Sequence, residues 1–303
     1  KGRGTREASE RLKRLGRMAR PIAQALNLGK EYWVAEKTVS GSRSSMRWDI
    51  TDPAPFADRY LFRNTPRVVL SSATVREKTL RLIGIGKDES EMLEYPSNFP
   101  AARRPVYAVG GVPRLNHRTT EEELGVWRRR IDEIIGGRLD RRGIVHTVSF
   151  RRAKEIEAAS EHRGIMHLHG SGSRELQEGI GRYLRSKPAV LVSPSATTGI
   201  DLPYDECEYG IVAKIPYPDM RSKAMRARMK KDPDYPAYLA AQTMVQASGR
   251  GMRAEDDQQE PFVVDGHWGW FMRQYSQFTP RWWRSAVRRV DGVPRPPKAL
   301  ESR

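Results

Sequence analysis

Short apolar runs that alternate with helix-length segments constrain this chain of 303 residues more than any other feature. The run 144–148 is followed by a helical segment over 151–160, and the run 165–168 by another over 174–186. Residues 189–192, 210–213 and 262–264 complete the series. Continuous apolar runs of this length, separated by helices, predict parallel strands buried on both faces. The expected fold is therefore α/β, a parallel sheet with helices on both sides. An open parallel sheet holds its ligand at the carboxyl ends of its strands. Ser149, the segment 197–201 and Asp265 fall there.

Upstream, Thr120 before Glu121-Glu122-Glu123 predicts a helix start, because a capping hydroxyl and first-turn acids satisfy and complement the free N–H groups. That helix presents Leu124, Trp127, Ile131, Ile134 and Ile135 and stops at Gly136-Gly137. Residues 106–109 are expected as a strand. Val68-Val69-Leu70 leads into Ser71-Ser72-Ala73-Thr74 and a helical segment through Leu82. Residues 6–28 carry an amphipathic stripe (Leu12, Leu15, Met18, Ile22, Leu26) with a kink or two consecutive helices expected at Pro21. A short strand over 32–34 and a loop over 41–45 follow. We expect residues 1–66 to be a connecting segment and 67–303 to be one domain.

The formal net charge is +17, with charged residues making up 30% of the chain. Such an excess argues for a polyanionic partner, nucleic acid above all. No apolar run approaches the ~20 residues needed to cross a bilayer, and Lys-Gly-Arg-Gly at the start is not a signal peptide. The expectation is no membrane and a cytoplasmic, nucleoid-associated location. The single cysteine, Cys207, excludes an internal disulfide and a cysteine-ligated iron–sulfur cluster within this chain.

The stretch 246–253 (Gln-Ala-Ser-Gly-Arg-Gly-Met-Arg) follows a helix-like run from Tyr235. Arg250 and Arg253 are three apart and share a face on a helix. Guanidinium groups fork onto phosphate oxygens in pairs, so the two together suit a nucleotide phosphate. Gly249 is the residue expected to let the backbone approach closely.

Four stretches now stand in order: 70–74 (Leu-Ser-Ser-Ala-Thr), 143–150 (Gly-Ile-Val-His-Thr-Val-Ser-Phe), 198–202 leading to Pro216-Tyr217-Pro218, and 246–253. This set resembles motifs III, IV, V and VI in the C-terminal half of superfamily 2 DNA helicases of the XPD/DinG type. The resemblance covers about 67–290 and implies a RecA-like second motor domain that closes on a first across ATP and Mg2+. It makes Arg250 and Arg253 arginine fingers on the γ-phosphoryl group and Gln246 the residue that positions the phosphate or water. It implies that Gly199, Asp201 and Gly249 couple nucleotide to DNA, and that Ser71 and Thr74 lie at an interdomain hinge. Ser149, Thr198 and Tyr217 would line single-stranded DNA, tracked 5′ to 3′. Two places depart from the family: Thr198 stands where a glutamate is usual, and Asp265-Gly266-His267 replaces Asp-x-Arg.

Neither a P-loop nor an acidic magnesium motif is found. Gly29-Lys30 and Gly86-Lys87 lack the upstream glycine and the following hydroxyl residue. The chain therefore reads as half of an ATPase site, completed by an N-terminal helicase half in a longer chain or a separate subunit. The alternatives are a superfamily 2 RNA helicase and a non-catalytic nucleic-acid-binding scaffold.

Among other candidates, His167 and His169 lack a paired carboxylate or cysteine, so no metal site is expected. Cys207 stands between Glu206 and Glu208, whose charge disfavours a thiolate nucleophile. The tail aromatics, including Trp268, Trp270, Trp282 and Trp283, are interleaved with Arg273, Arg281 and Arg284. They offer base-stacking faces, with Trp268 and Arg273 as the leading pair, or pack the last helices onto the sheet. The basic run 221–231 is a solvated face or a phosphate track.

Overall fold

A computed structural model describes residues 2–296, apart from 28, 42, 64, 196–199, 250 and 253–256. In chain order the front elements are α1 (Gly2–Leu26), β1 (Trp33–Ser40), β2 (Arg43–Ile50), α2 (Ala54–Ala57) and α3 (Glu77–Leu82). Then come β3 (Val106–Val109), α4 (Glu121–Gly136), β4 (Arg142–His146), α5 (Phe150–Ala159), β5 (Met166–His167), α6 (Ser173–Leu184), β6 (Ala189–Ser193) and β7 (Tyr209–Val212). The chain ends with α7 (Lys223–Lys231), α8 (Tyr235–Ala247), β8 (Glu260–Val263), α9 (Trp268–Tyr275), α10 (Arg281–Arg284) and β9 (Val287–Val290). Two compact units emerge: residues 1–92 with 219–236, and residues 93–218 with 237–303. The boundary expected at 66/67 falls inside the first unit.

In the first unit, β1 and β2 form an antiparallel hairpin from Trp33↔Ile50 to Ser40↔Arg43. The strand expected over 32–34 is thus much longer, and the loop expected over 41–45 shrinks to a turn at Gly41, whose φ is +58. Trp33 packs on Trp48 across the hairpin at 4.9 Å. Helix α1 is continuous through Pro21, where a kink was expected, and Leu12 and Leu15 of its stripe are exposed. Val68-Val69-Leu70 is also exposed and forms no strand. Most of the basic run 221–231 is helix α7, and several of its cations already have partners. Arg228 donates to the Ile50 carbonyl, Lys231 pairs with Asp52 at 3.1 Å, and Arg221 pairs with Asp219. That weakens the phosphate-track reading of the run.

The second unit holds a seven-stranded sheet in the order β5-β6-β4-β7-β8-β3-β9, with every pair parallel. Side chains alternate between the faces of a strand, and the core divides accordingly. Val145, Val190, Val192 and Ile211 pack with Trp127, Ile131, Ile134 and Ile135 of α4 and Ile156 of α5. Ile144 and Leu191 pack instead with Ile180 and Tyr183 of α6 and with Ile200 and Leu202. Helices therefore cover both faces, as expected from the continuous apolar runs. Thr120 caps α4 in the anticipated way, accepting from the Glu123 N–H while Glu123 accepts from the Thr120 N–H at 2.8 Å. Among the described residues no helix is long and apolar enough to cross a membrane.

Candidate nucleotide and nucleic-acid site

The carboxyl ends of β7 and β8 are tied together by the core. The Trp127 indole N–H donates to the carbonyls of Ala213 (2.8 Å) and Val264 (3.2 Å), just beyond those strand ends. The next residues, Lys214 and Asp265, are thereby held side by side. Asp265 is buried and accepts from the Ile215 N–H and the His267 N–H, both at 2.9 Å. Burial pushes its carboxyl up, against the pull of those two N–H groups and of Lys214. Burial lowers Lys214 in turn, and nearby arginines add to that.

Gly266 makes this turn possible. A Cβ there would lie 2.4 Å from the Val112 carbonyl oxygen and 2.8 Å from the Arg114 nitrogen, so only glycine fits without moving backbone. Its N–H donates to the Pro113 carbonyl at 3.0 Å. The turn thus brings Arg114, Lys214 and Asp265 to one rim. The reading from sequence missed Arg114 and Lys214. Lys214 stands directly after an apolar strand, a signal that was present. Arg114 lies about one hundred and fifty residues before Asp265 in the chain, and only the fold joins them.

His267, which replaces the family's arginine, is pushed down to about 4, first by burial and then by the charges of Arg114 and Lys214. At neutral pH it is an uncharged ring. It stacks on Trp270 at 4.7 Å and 19°, and Tyr217 packs beside it and edge-on to Phe271. Burial raises the Tyr217 hydroxyl to about 12. Tyr217 therefore serves as packing as well as rim.

Trp268 requires a correction. It is 7% exposed and packs against Trp283, so it is a core residue and has no face to offer a base. Trp270, at 43%, is the exposed one, and Arg273 one turn on is exposed too. Trp283 is buried and donates its N–H to Ser248 Oγ at 2.6 Å.

That bond pins Ser248, just past the end of α8, from beneath. Ala247, Ser248 and Met252 are buried while Gln246 at the end of α8 is exposed. The close approach occurs at Gly251, where a Cβ would meet the Cys207 carbonyl oxygen at 2.1 Å. Gly249, expected to play that part, has no protein atom nearer than 3.7 Å to such a Cβ. Arg250, Arg253, Thr198 and Gly199 lie outside the described residues. Asp201 is exposed between buried Ile200 and Leu202, which anchor it.

Ser149 stands at the carboxyl end of β4 and caps α5, accepting from the Arg152 N–H at 3.2 Å. Val148 before it has φ +58, a strained conformation for a β-branched residue, at the rim of the sheet. In the first unit Ser71 is exposed, whereas Thr74 is buried with its N–H donating to Ser72 Oγ at 3.2 Å. Among the described residues no group of three or more His, Cys, Asp or Glu side chains could hold a metal. His169 bonds to Ser193 Oγ at 2.7 Å.

Residues 139–286 match the family model of the helicase C-terminal domain. An XPD helicase structure matches over 88% of this chain and 49% of its own, with a TM-score of 0.56 and 13% identity. This shows the fold to be that of a helicase motor domain. The S. tokodaii Xpd4 structure matches over 61% of this chain and 38% of its own, with a TM-score of 0.43 and 13% identity. S. cerevisiae Dbp5 bound to RNA and ADP BeF3 matches over 74% and 50%, with a TM-score of 0.45 and 14% identity. The chain spans half or less of the length of each of these. No curated protein matches it. Over residues 139–286 this chain is thus similar to a helicase C-terminal domain.

Proposed function

We propose that this chain is the C-terminal motor half of an ATP-dependent DNA helicase that moves 5′ to 3′ on single-stranded DNA. The observation that carries the reading is the match of residues 139–286 to the helicase C-terminal domain. The geometry supports it: a parallel sheet presents Ser149, Lys214 and Asp265 at its carboxyl rim, and Gln246 is exposed above a buried anchor. The net charge of +17 supports a nucleic-acid partner.

In this reading the seven-stranded unit is the motor domain, and residues 1–66 lead into it from a partner half with the P-loop and the acidic magnesium motif. ATP, when bound with Mg2+ between the halves, supplies the γ-phosphoryl group whose transfer to water drives movement. The amide of Gln246 donates and accepts hydrogen bonds, which fits a phosphate or a water, and two arginines fit phosphate oxygens. These groups suit nucleotide rather than metal. Gln246 positions, and Arg250 and Arg253 stabilise charge on the equatorial oxygens. Gly249, Gly199 and Asp201 relay nucleotide state to the DNA path. Ser71 and Thr74 transmit the movement, and Ser149, Thr198, Tyr217 and Arg273 line the strand.

The test is Arg250→Ala in the protein that carries both halves. An arginine finger is worth about 10³–10⁵ in rate, so ATP hydrolysis and unwinding should fall by at least the lower figure while DNA binding persists. Undiminished hydrolysis overturns this assignment. Hydrolysis that is absent from the unaltered two-half protein leaves the non-catalytic scaffold as the correct reading.

A further inference from the structure

Nearly every aromatic side chain in the tail packs inward, and one does not. Trp268, Phe271, Phe278 and Trp283 are all at most 7% exposed, and Tyr275 packs between Trp270 and Phe278. Trp270 stays 43% exposed even with His267 stacked on it at 4.7 Å and Tyr275 edge-on at 5.6 Å. Among the described tryptophans it alone is exposed.

Its support is rigid. Trp268 and Phe271, on either side of it in α9, are anchored in the core, and His267 is fixed by its N–H to Asp265. Because burial keeps the His267 ring uncharged at neutral pH, it presents a plain aromatic face to the indole. A side chain backed in this way loses little conformational freedom when a further ring is added. Cations stand close by. Arg273 lies one helical turn from Trp270, with Nη1 3.5 Å from the position a Cβ would take on Gly269. The Gly266 turn holds the Arg114 backbone against the same segment. An exposed aromatic face beside guanidinium groups is the pairing that takes a base and its phosphate.

We propose that Trp270, backed by His267, is a stacking platform for one base of a single-stranded nucleic acid, with Arg273 and Arg114 meeting the adjoining phosphates. The proposal rests on the nucleic-acid reading above and adds to it a base-contacting residue. Stacking on any base carries no sequence preference, which suits a site that must accept each nucleotide in turn.

The experiment compares binding of two labelled probes to the full protein at one salt concentration. One probe is an oligothymidylate, and the other is an abasic oligomer of equal length and charge. Stacking is worth about 5- to 150-fold in affinity per base. Trp270→Ala should weaken oligothymidylate binding within that range and leave the abasic probe unchanged, while Trp270→Phe keeps most of the affinity. Equal affinities of Trp270→Ala and the unaltered protein for oligothymidylate overturn the proposal, as does an equal loss on both probes. An unaltered protein that binds neither probe overturns the nucleic-acid reading itself, and this proposal with it.

Discussion

Strand β8 begins at Glu260, and Asp265 follows two residues past its other end; both carboxylates are buried, and they are satisfied in opposite ways. Glu260 takes a bidentate pair from Arg138, at 2.9 and 2.8 Å, and a third bond from Arg141 at 3.1 Å. Arg138 itself is fully buried, lies over the Phe262 ring at 4.6 Å and donates to the Ile134 and Pro294 carbonyls. Asp265 takes only backbone N–H groups. Among the described residues no cation lies within salt-bridge distance of it, although Lys214 is next to the same turn. The amino end of the sheet consumes its cations internally. The carboxyl end gathers Lys214 and Arg114 around Asp265 without a salt bridge to it among the described residues, and that is the end where a parallel sheet binds its ligand.

The largest test of this contrast is Glu260→Gln. It keeps the shape but takes the counter-charge from the fully buried Arg138, while Arg141 keeps Asp140 at 3.7 Å. Breaking a buried pair from one side costs about 3–5 kcal/mol, to be read as a loss of unfolding free energy in denaturant titration of the seven-stranded unit. A cost below about 1 kcal/mol would break the comparison, because the amino end would then tolerate free charge as well as the carboxyl end does.

Gly266→Ala probes the other end. The added methyl meets three backbone atoms of 112–114 at 2.4 to 2.8 Å, so either the turn or that loop must move. Overpacking of this kind costs about 1–3 kcal/mol. The melting temperature should drop, and Arg114 should part from the Asp265 turn. An unchanged melting temperature would mean that the turn is not docked on 112–114, and the carboxyl rim would lose one of its cations.

Part of this arrangement is legible in the sequence, for physical reasons that can be named. Buried parallel strands are apolar throughout, so 144–148, 189–192, 210–213 and 262–264 announce themselves, and Thr120 with Glu123 announces a helix start. The edge strand β9 (Val-Arg-Arg-Val) is not announced, because its two arginines are exposed at the sheet's margin and its pairing with β3 is non-local. The hairpin in the first unit shows only in part, at 32–34, since polar residues are mixed through both strands and most of them are exposed or half-exposed. Within the candidate site, Gln246 and Ser149 are named by the order and spacing of the stretches that hold them. Trp268 is misjudged because tryptophan serves core and surface equally well, and sequence spacing alone does not distinguish Trp268 from Trp270 two residues on. The Arg138–Glu260 pair joins residues one hundred and twenty-two apart, beyond any local pattern.

The smallest effect, and the one that sharpens the contrast most, is the pH dependence of the carboxyl end. His267 has an ordinary value of 6.5 that falls to about 4 in the fold. The unfolded chain therefore binds the proton more readily than the native one between those limits. Its contribution to stability is complete above pH 6.5 and is lost as the pH falls toward 4. Asp265 acts in the reverse direction: its carboxyl is raised above 3.8, so the native state holds that proton longer and stability falls as the pH rises through that region. His267→Gln should flatten the loss between pH 6.5 and 4, and Asp265→Asn should steepen the net rise by removing the opposing slope. Denaturation midpoints measured across this range separate the two. If His267→Gln and the unaltered protein lose stability in parallel, the imidazole is not held neutral by burial and by the cations of Arg114 and Lys214. The carboxyl end would then be no richer in unconsumed positive charge than the amino end.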